Sequence, residues 1–221
     1  MIVTTHQAKT NLSKLIQRAL DGEEIIIARR NQPLVKLTVI EEAKPKVRFG
    51  ALKDLVLVMG DDFDDELEDF AEYGPAELTK VAEDEKPYQA WILRLLLDTH
   101  TILWIIRDDP RLPSNTRKII SNADQVYWSM ISIWEIAIKL SLDRPDFKLT
   151  TGWADRITRE MEICGFLHLH IANDHMENLS KLPWYHRDPF DRLLIATAKT
   201  ENLTIVSRDT SFQKYPIDQI W

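Results

Sequence analysis

Asp98, Glu135, Asp191 and Asp209 are the residues of this 221-residue chain whose types and placement offer chemistry. Asp98 directly follows the apolar run Leu95-Leu96-Leu97. Glu135 lies within a helical pattern over residues 132–142. Asp191 opens a further helix, and Asp209 follows an apolar stretch at 203–207. Each therefore sits at a strand end or on a helix near one, and such positions can converge. Carboxylates brought together repel one another and do not all stay ionised unless a cation neutralises them. Oxygen-only ligands suit Mg²⁺ or Mn²⁺. Such ions activate water and stabilise an in-line phosphoryl transition state, so the pattern predicts metal-assisted phosphodiester hydrolysis. Each acid also has a purely structural reading. Asp98 can cap the helix after its strand. Glu135 can be an exposed partner of Lys139 at i+4. Asp209 can be a turn residue. In Asp188-Pro189-Phe190-Asp191, Asp188 reads as N-cap, Pro189 as N1 and Asp191 as an N3 acid favoured by the helix dipole.

Competing chemistries have less support. His168, His170, His175 and His186 are scattered without metal-ligand spacing, and the single cysteine, Cys164, excludes a disulfide within the chain and a Cys-rich zinc site. Cys164 reads as a small buried hydrophobe. Ser207 lacks the His and Asp support of a nucleophile, and no nucleotide-binding glycine loop is present.

The elements that must position the four acids alternate in type. Strands are expected at 95–97, 126–130, 166–170 and 203–207. Helices are expected at 101–107, 114–122 (capped by Ser114), 132–142, 154–164, 173–182 and 188–200. Such alternation is economical only as a parallel α/β sandwich, whose ligands bind at the carboxyl ends of the strands.

Charge divides the chain. Residues 1–48 carry a net +4, residues 49–94 a net −9 and residues 95–221 a net −2, and all seven Trp lie at or after position 91. The basic head reads as a strand at 2–4, a helix at 6–20 closed by Asp21-Gly22, and a hairpin of strands 24–28 and 34–39. Ala8, Leu12, Leu15, Ile16 and Ala19 form its apolar face. A head this small makes a marginal core that usually needs a partner. The middle holds eight acids between positions 61 and 72, a composition that by itself suits a solvated linker. Phe63, Leu67, Phe70 and Tyr73, however, recur at the spacing of a helix that docks in a groove. No apolar run is long enough to cross a bilayer, and the N-terminus has no secretory pattern; the expected location is cytoplasmic.

Residues 1–40 resemble the Phd/YefM antitoxins, through Val3-Thr4, Gln7-Ala8-Lys9, Leu12-Ser13-Lys14-Leu15-Ile16, Gly22-Glu23-Glu24-Ile25-Ile26-Ile27 and Arg29-Arg30-Asn31-Gln32-Pro33. Residues 95–221 resemble the PIN-domain ribonucleases of the VapC toxin family, through Leu95-Leu96-Leu97-Asp98-Thr99-His100, Ser132-Ile133-Trp134-Glu135-Ile136-Ala137, the specific stretch His186-Arg187-Asp188-Pro189-Phe190-Asp191-Arg192-Leu193-Leu194-Ile195-Ala196, and Val206-Ser207-Arg208-Asp209-Thr210-Ser211-Phe212. The resemblance implies an α/β fold, a PIN-like parallel sheet flanked by helices. A small α+β DNA-binding head and an extended or helical tail precede it. The implied divisions are a head at 1–46, a toxin-neutralising tail at 47–73, a linker at 74–92 and a PIN domain at 93–221. It makes Asp98, Glu135, Asp191 and Asp209 catalytic ligands of Mg²⁺ or Mn²⁺, with Ser207 supporting the last. Lys9, Arg29 and Arg30 become contacts to operator DNA. The implied partners are RNA, operator DNA and further copies of the chain, as a homodimer or higher oligomer through the head and the PIN domain, with no membrane.

The reading that follows is an endoribonuclease inhibited by its own antitoxin segment. Two others stand beside it: a silenced DNA-binding regulator using the PIN domain as a scaffold, and a PIN nuclease acting on structured DNA. Val47, Phe49, Leu52, Leu55, Val56, Leu57 and Val58 are expected to lie on the C-terminal domain, with Phe63, Leu67 and Phe70 as helical anchors. Arg48, or failing it Lys53, is expected to enter the acid cluster and displace the metal.

Overall fold

A computed structural model of the chain describes residues 1–20, 23–29, 32–37, 45–61, 63 and 92–221. Asp21, Gly22, Arg30, Leu67, Phe70, Tyr73 and residues 74–91 lie outside the described residues. The chain divides into two compact units, Met1–Lys44 and Pro45–Trp221.

In the first unit, β1 (Ile2–Thr4) runs parallel to β2 (Ile25–Arg29), which pairs antiparallel with β3 (Gln32–Leu37). Helix α1 (Thr5–Leu20) breaks regular helical geometry at Asn11 (φ −123°). Val3, Ala8, Leu15, Ala19 and Ile25 form a small core. The expected apolar face is only half used: Ala8, Leu15 and Ala19 are buried, whereas Leu12 and Ile16 stay exposed. One layer of three short strands and a kinked helix cannot cover more.

The second unit is an α/β sandwich. Five parallel strands lie in the order β10 (Gln219–Ile220), β9 (Thr204–Val206), β5 (Arg94–Leu97), β6 (Gln125–Ser129) and β8 (Leu167–Leu169). Helices α2 (Thr99–Arg107), α3 (Ser114–Asn122), α4 (Met130–Ser141), α5 (Trp153–Ile163), α6 (Asn173–Lys181) and α7 (Pro189–Glu201) connect them. Central strand β5 is apolar on both faces, as a doubly covered parallel strand must be. Leu95 and Leu97 enter one core cluster and Leu96 the other. From β5 the chain moves outward to β6 and returns to β9 on the opposite side, which makes the carboxyl end of β5 a topological switch point. Helix α3 is capped by Pro113 without a side-chain bond; Ser114 is its first helical residue, correcting its expected role as cap. No helix among the described residues is long and apolar enough to cross a membrane.

Residues 45–63 belong to this second unit. Strand β4 (Val56–Met59) pairs antiparallel with β7 (Phe147–Leu149), extended by Gly60 N donating to Asp146 O (2.7 Å) and Thr150 N to Leu55 O (2.9 Å). The tail over 56–59 thus docks as a strand; of the expected helical anchors only Phe63 lies among the described residues. Leu55, Val56, Met59 and Phe63 are buried in the same cluster as Leu95 and Ile102. Four such side chains contribute a gross transfer free energy on the order of 6–12 kcal/mol before ordering entropy is subtracted. Leu57 and Val58 both remain exposed, because the register against β7 shifts between Val56 and Val58 and such a bulge interrupts the alternation of faces.

Candidate metal-binding active site

The four expected acids meet at the carboxyl ends of β5, β6 and β9. A small pocket there is lined by Asp98, His100, Glu135, Lys139, Asp188, Asp191 and Asp209. Asp98 ends β5 and caps α2, accepting from the Thr99 amide. Glu135 projects from the second turn of α4, a helix capped by Ser129. Asp209 ends the loop after β9 and caps a 3₁₀ helix, Thr210–Lys214, by accepting from Ser211 N at 2.7 Å. Asp188 caps α7, accepting from Phe190 N and Asp191 N, and Pro189 supplies the preformed first turn. The capping readings and the convergence are therefore both realised, since a strand-to-helix junction needs a cap where a ligand binds.

Neighbouring groups hold each acid in place. Ser207 is fully buried, and its Oγ accepts from Asp209 N at 3.0 Å. Gln219 Nε2 clamps the same bend by donating to Ser207 O (2.7 Å) and Asp209 O (2.8 Å). Arg208 N donates to His100 Nε2 (3.2 Å), which places the imidazole proton on Nδ1, 3.2 Å from Asp98 Oδ2. His186 repeats the device. Asp188 N donates to its Nδ1 (3.0 Å), so Nε2 carries the proton and donates to Asp191 Oδ2 (3.2 Å) and Asp209 Oδ2 (3.1 Å). His186, Asp191 and Asp209 could by type hold an ion between them. With its Nε2 proton in place, however, His186 orients the two acids rather than ligating. Buried Arg192 sets this loop by donating to Leu182 O (3.0 Å) and Pro183 O (2.7 Å).

The electrostatics match a cation site. Burial, then Asp188, Asp98, Glu135 and Asp209, pushes the Asp191 carboxyl well above the ordinary range. Burial, then Glu135, raises Asp188 to about 6. Burial alone would raise Asp209, but hydrogen bonds from His186 and Ser211 outweigh it and keep that carboxyl below its usual value. Oε2 of Glu135 is buried without a hydrogen-bond partner, and a buried acceptor left so is costly. Five hard oxygen donors, one of them orphaned and two held toward the neutral form, fit a divalent hard cation.

Sequence reasoning missed Lys139, His186 and the second role of Asp188. Glu135 is readable from the sequence as an exposed partner of Lys139, but it is buried, and so is Lys139. Lys139 Nζ lies 3.0 Å from Glu135 Oε1 and donates also to the Phe63 carbonyl. Burial would lower its ammonium, but Glu135, Asp188 and Asp191 more than offset that and hold it above its ordinary value. The i+4 spacing to Glu135 was the available signal. For His186, its place next to the Asp188–Asp191 stretch was the only one.

Two expectations are corrected. Arg48 does not lie among the acids: its Nε is 3.4 Å from Glu160 Oε1, and its amide donates to Cys164 Sγ at 3.3 Å. Lys53 pairs instead with Asp108 at 2.8 Å. The turns at 49–55, fixed by Gly50 N donating to Ile105 O and Leu52 N to Ile106 O, carry both cations past the C-terminal end of α2. The acids lie at its other end. Cys164 is buried, and burial raises its thiol. Phe63 is buried at the pocket edge, 4.8 Å from the Phe147 ring, with Lys139 Nζ 4.0 Å from its own ring centroid. Lys9 and Arg29 are exposed on the first unit.

The PIN domain family matches residues 95–218. That is more than half of the sequence, and the chain belongs to this family, whose members are generally divalent-metal-dependent nucleases. Comparison with curated proteins returns no match. Among solved structures, FitAcB from Neisseria gonorrhoeae is 19% identical, with 57% of this chain and 96% of that chain covered and a TM-score of 0.42. VapBC2 from Rickettsia felis, bound to a DNA fragment from its promoter, is 14% identical, with 58% and 98% covered and a TM-score of 0.43. A toxin–antitoxin complex from Klebsiella pneumoniae is 20% identical, with 52% and 87% covered and a TM-score of 0.36.

Proposed function

We propose that the protein is a divalent-metal-dependent endoribonuclease that carries its own inhibitor. In this reading the PIN unit cleaves RNA. Residues 47–73 cover it as the inhibitory tail, and residues 74–92 join the two parts. Residues 1–46 act as a Phd/YefM-like head that dimerises and binds operator DNA for autoregulation. The observation that carries the catalytic part is the acid pocket, above all the buried, unpartnered Glu135 Oε2 beside an Asp191 held toward its neutral form. Asp98, Glu135, Asp191 and Asp209 would hold Mg²⁺ or Mn²⁺, which when bound supplies activated water and charge stabilisation at the phosphate. His100 and His186 orient the ligands through single N–H bonds, and Ser207 fixes the bend that aims Asp209. RNA as the substrate rests on the VapC-like motifs. Dimerisation of the head is supported by the exposure of Ile2, Leu12, Ile16, Leu34 and Val35, more apolar surface than a domain this small usually leaves in water. Exposed Lys9 and Arg29 suit phosphate contact.

The test is RNA cleavage by the purified chain before and after release of the tail, with Mg²⁺, Mn²⁺ or chelator. Cleavage after release should require the metal, and Asp98→Asn, Asp191→Asn and Asp209→Asn should each remove most of it. Chelator-resistant cleavage that is lost in His186→Ala would instead point to metal-free acid–base chemistry.

A further inference from the structure

Three cations meet the tail at Asp61 and Phe63, and one of them, Lys139, lines the acid pocket. Arg111 Nη1 donates to Asp61 Oδ1 at 3.0 Å. Arg208 Nη2 donates to the Asp61 carbonyl at 3.2 Å. Lys139 Nζ donates to the Phe63 carbonyl and lies against the Phe63 ring. At all three the tail presents oxygen acceptors. A tail that worked by neutralising the acids would present a cation, and Arg48 and Lys53 are engaged elsewhere. Two of the three cations share a firm support. The Trp104 ring, 1% exposed, has Arg111 at 4.9 Å and Arg208 at 5.1 Å from its centroid, and Arg111 is further tied to Asp109 at 2.9 Å. The third, Lys139, is tied to Glu135 at the pocket itself. The acceptors belong to residues two positions apart, whose Cα atoms are at most about 7 Å from one another, a spacing on the scale of neighbouring phosphates in an extended strand. Clustered cations that follow the backbone are what single-stranded nucleic acid requires, and guanidinium groups suit phosphate oxygens.

We propose that Arg111, Arg208 and Lys139 form the phosphate-binding track that leads single-stranded RNA into the acid pocket, and that Asp61 and Phe63 occupy it as mimics of two successive backbone anions. The Asp61 oxygens take the phosphate position at the arginine pair, and the Phe63 carbonyl takes the one at Lys139. The Phe63 ring stands where a base would rest against Phe147. The inference deepens the proposed function and rests on it. The tail blocks the enzyme as an anion blocks an anion site.

The experiment uses the full chain carrying Asp98→Asn, so that RNA stays intact, and a short fluorescein-labelled single-stranded RNA read by anisotropy. Asp61→Arg with Phe63→Ala should tighten binding by about tenfold. Adding Arg111→Met and Arg208→Met should return it to the starting affinity. The slope of log affinity against log salt should fall by roughly 0.7 for each arginine removed. Arg208→Met alone, which leaves the Asp109 pair intact, should remove several-fold of the gain, and a thermal melt of each variant reports folding. The basic head is common to all variants and cancels. No gain on changing the tail, or a gain that survives loss of both arginines, overturns the proposal. With Asp98 restored, a tail-displaced chain that binds through the track yet fails to cleave with Mn²⁺ sinks the nuclease reading and leaves the track standing. Cleavage with binding indifferent to the arginines does the reverse.

Discussion

Asp188 and Asp191 carry the tension of the acid pocket, and their protonation gives a test that needs no substrate. The Asp188 carboxyl is raised from 3.8 to about 6 by burial and by Glu135. The native chain therefore holds that proton more tightly than the unfolded chain. Between about pH 4 and 6 the native state binds more protons, so this group's contribution to stability falls as pH rises through that window and stays low above it. Asp188→Asn keeps an N-cap and removes the charge. In chelator, its melting temperature relative to wild type should climb from pH 5 to pH 7; a difference that stays flat or shrinks would contradict the clustered, raised acids. Metal should act in the opposite sense. At pH 7, Mn²⁺ at about a hundred times its dissociation constant contributes about 2.7 kcal/mol, which for a chain this size raises the melting temperature by roughly 5–10 °C. Asp191→Asn should lose most of that shift, and an unchanged shift would remove Asp191 from the ligand set.

At the scale of elements, the tail is held by a strand pair as much as by side chains. Leu55 is completely buried where β4 begins, and its carbonyl accepts from Thr150 N. Truncating such a side chain costs about 2–5 kcal/mol. Leu55→Ala should therefore raise amide hydrogen exchange across 55–60 and 147–150, while β5 and β9 keep their protection. Equal loss in the central sheet would mean that tail and sheet unfold as one. Legibility in the sequence follows the range of the interaction. Strand β5 and helix α7 are readable because an apolar run and an Asp-Pro start act within a few residues. Strands β4 and β7 are not readable: each is three or four residues long, and each exists because of a partner about ninety positions away. The same holds at the site. Asp98 and Asp209 are legible as acids after strands. The tie between His186 and Asp209, and the burial of Lys139 under Phe63, depend on the folded loops. Arg48 was misplaced because charge complementarity names a sign but no direction, and the turns at 49–55 supply the direction.

For the whole molecule, the tail and the sheet share one core, and that sharing should outlast the peptide link between them. A protease site introduced within 74–91 and cut in the native protein should leave two fragments that co-elute on size exclusion, with nuclease activity still low. Separation under native conditions would mean that the covalent tether, and not Leu55, Val56, Met59 and Phe63, keeps the tail in place. The head should bind operator DNA as a dimer with affinity that drops steeply with salt; salt-independent binding would remove Lys9 and Arg29 from the phosphate contacts. The order of the parts along the chain also has a consequence in time. Phe63 is synthesised 146 residues before Asp209, the last acid of the pocket. At about 5–20 residues per second the covering segment precedes a complete pocket by roughly 7–30 s. If the tail is the inhibitor, a ribosome making this chain never releases an uncovered active site, and each new one emerges with its cover already made, whatever the rate of expression or the dilution of the cell.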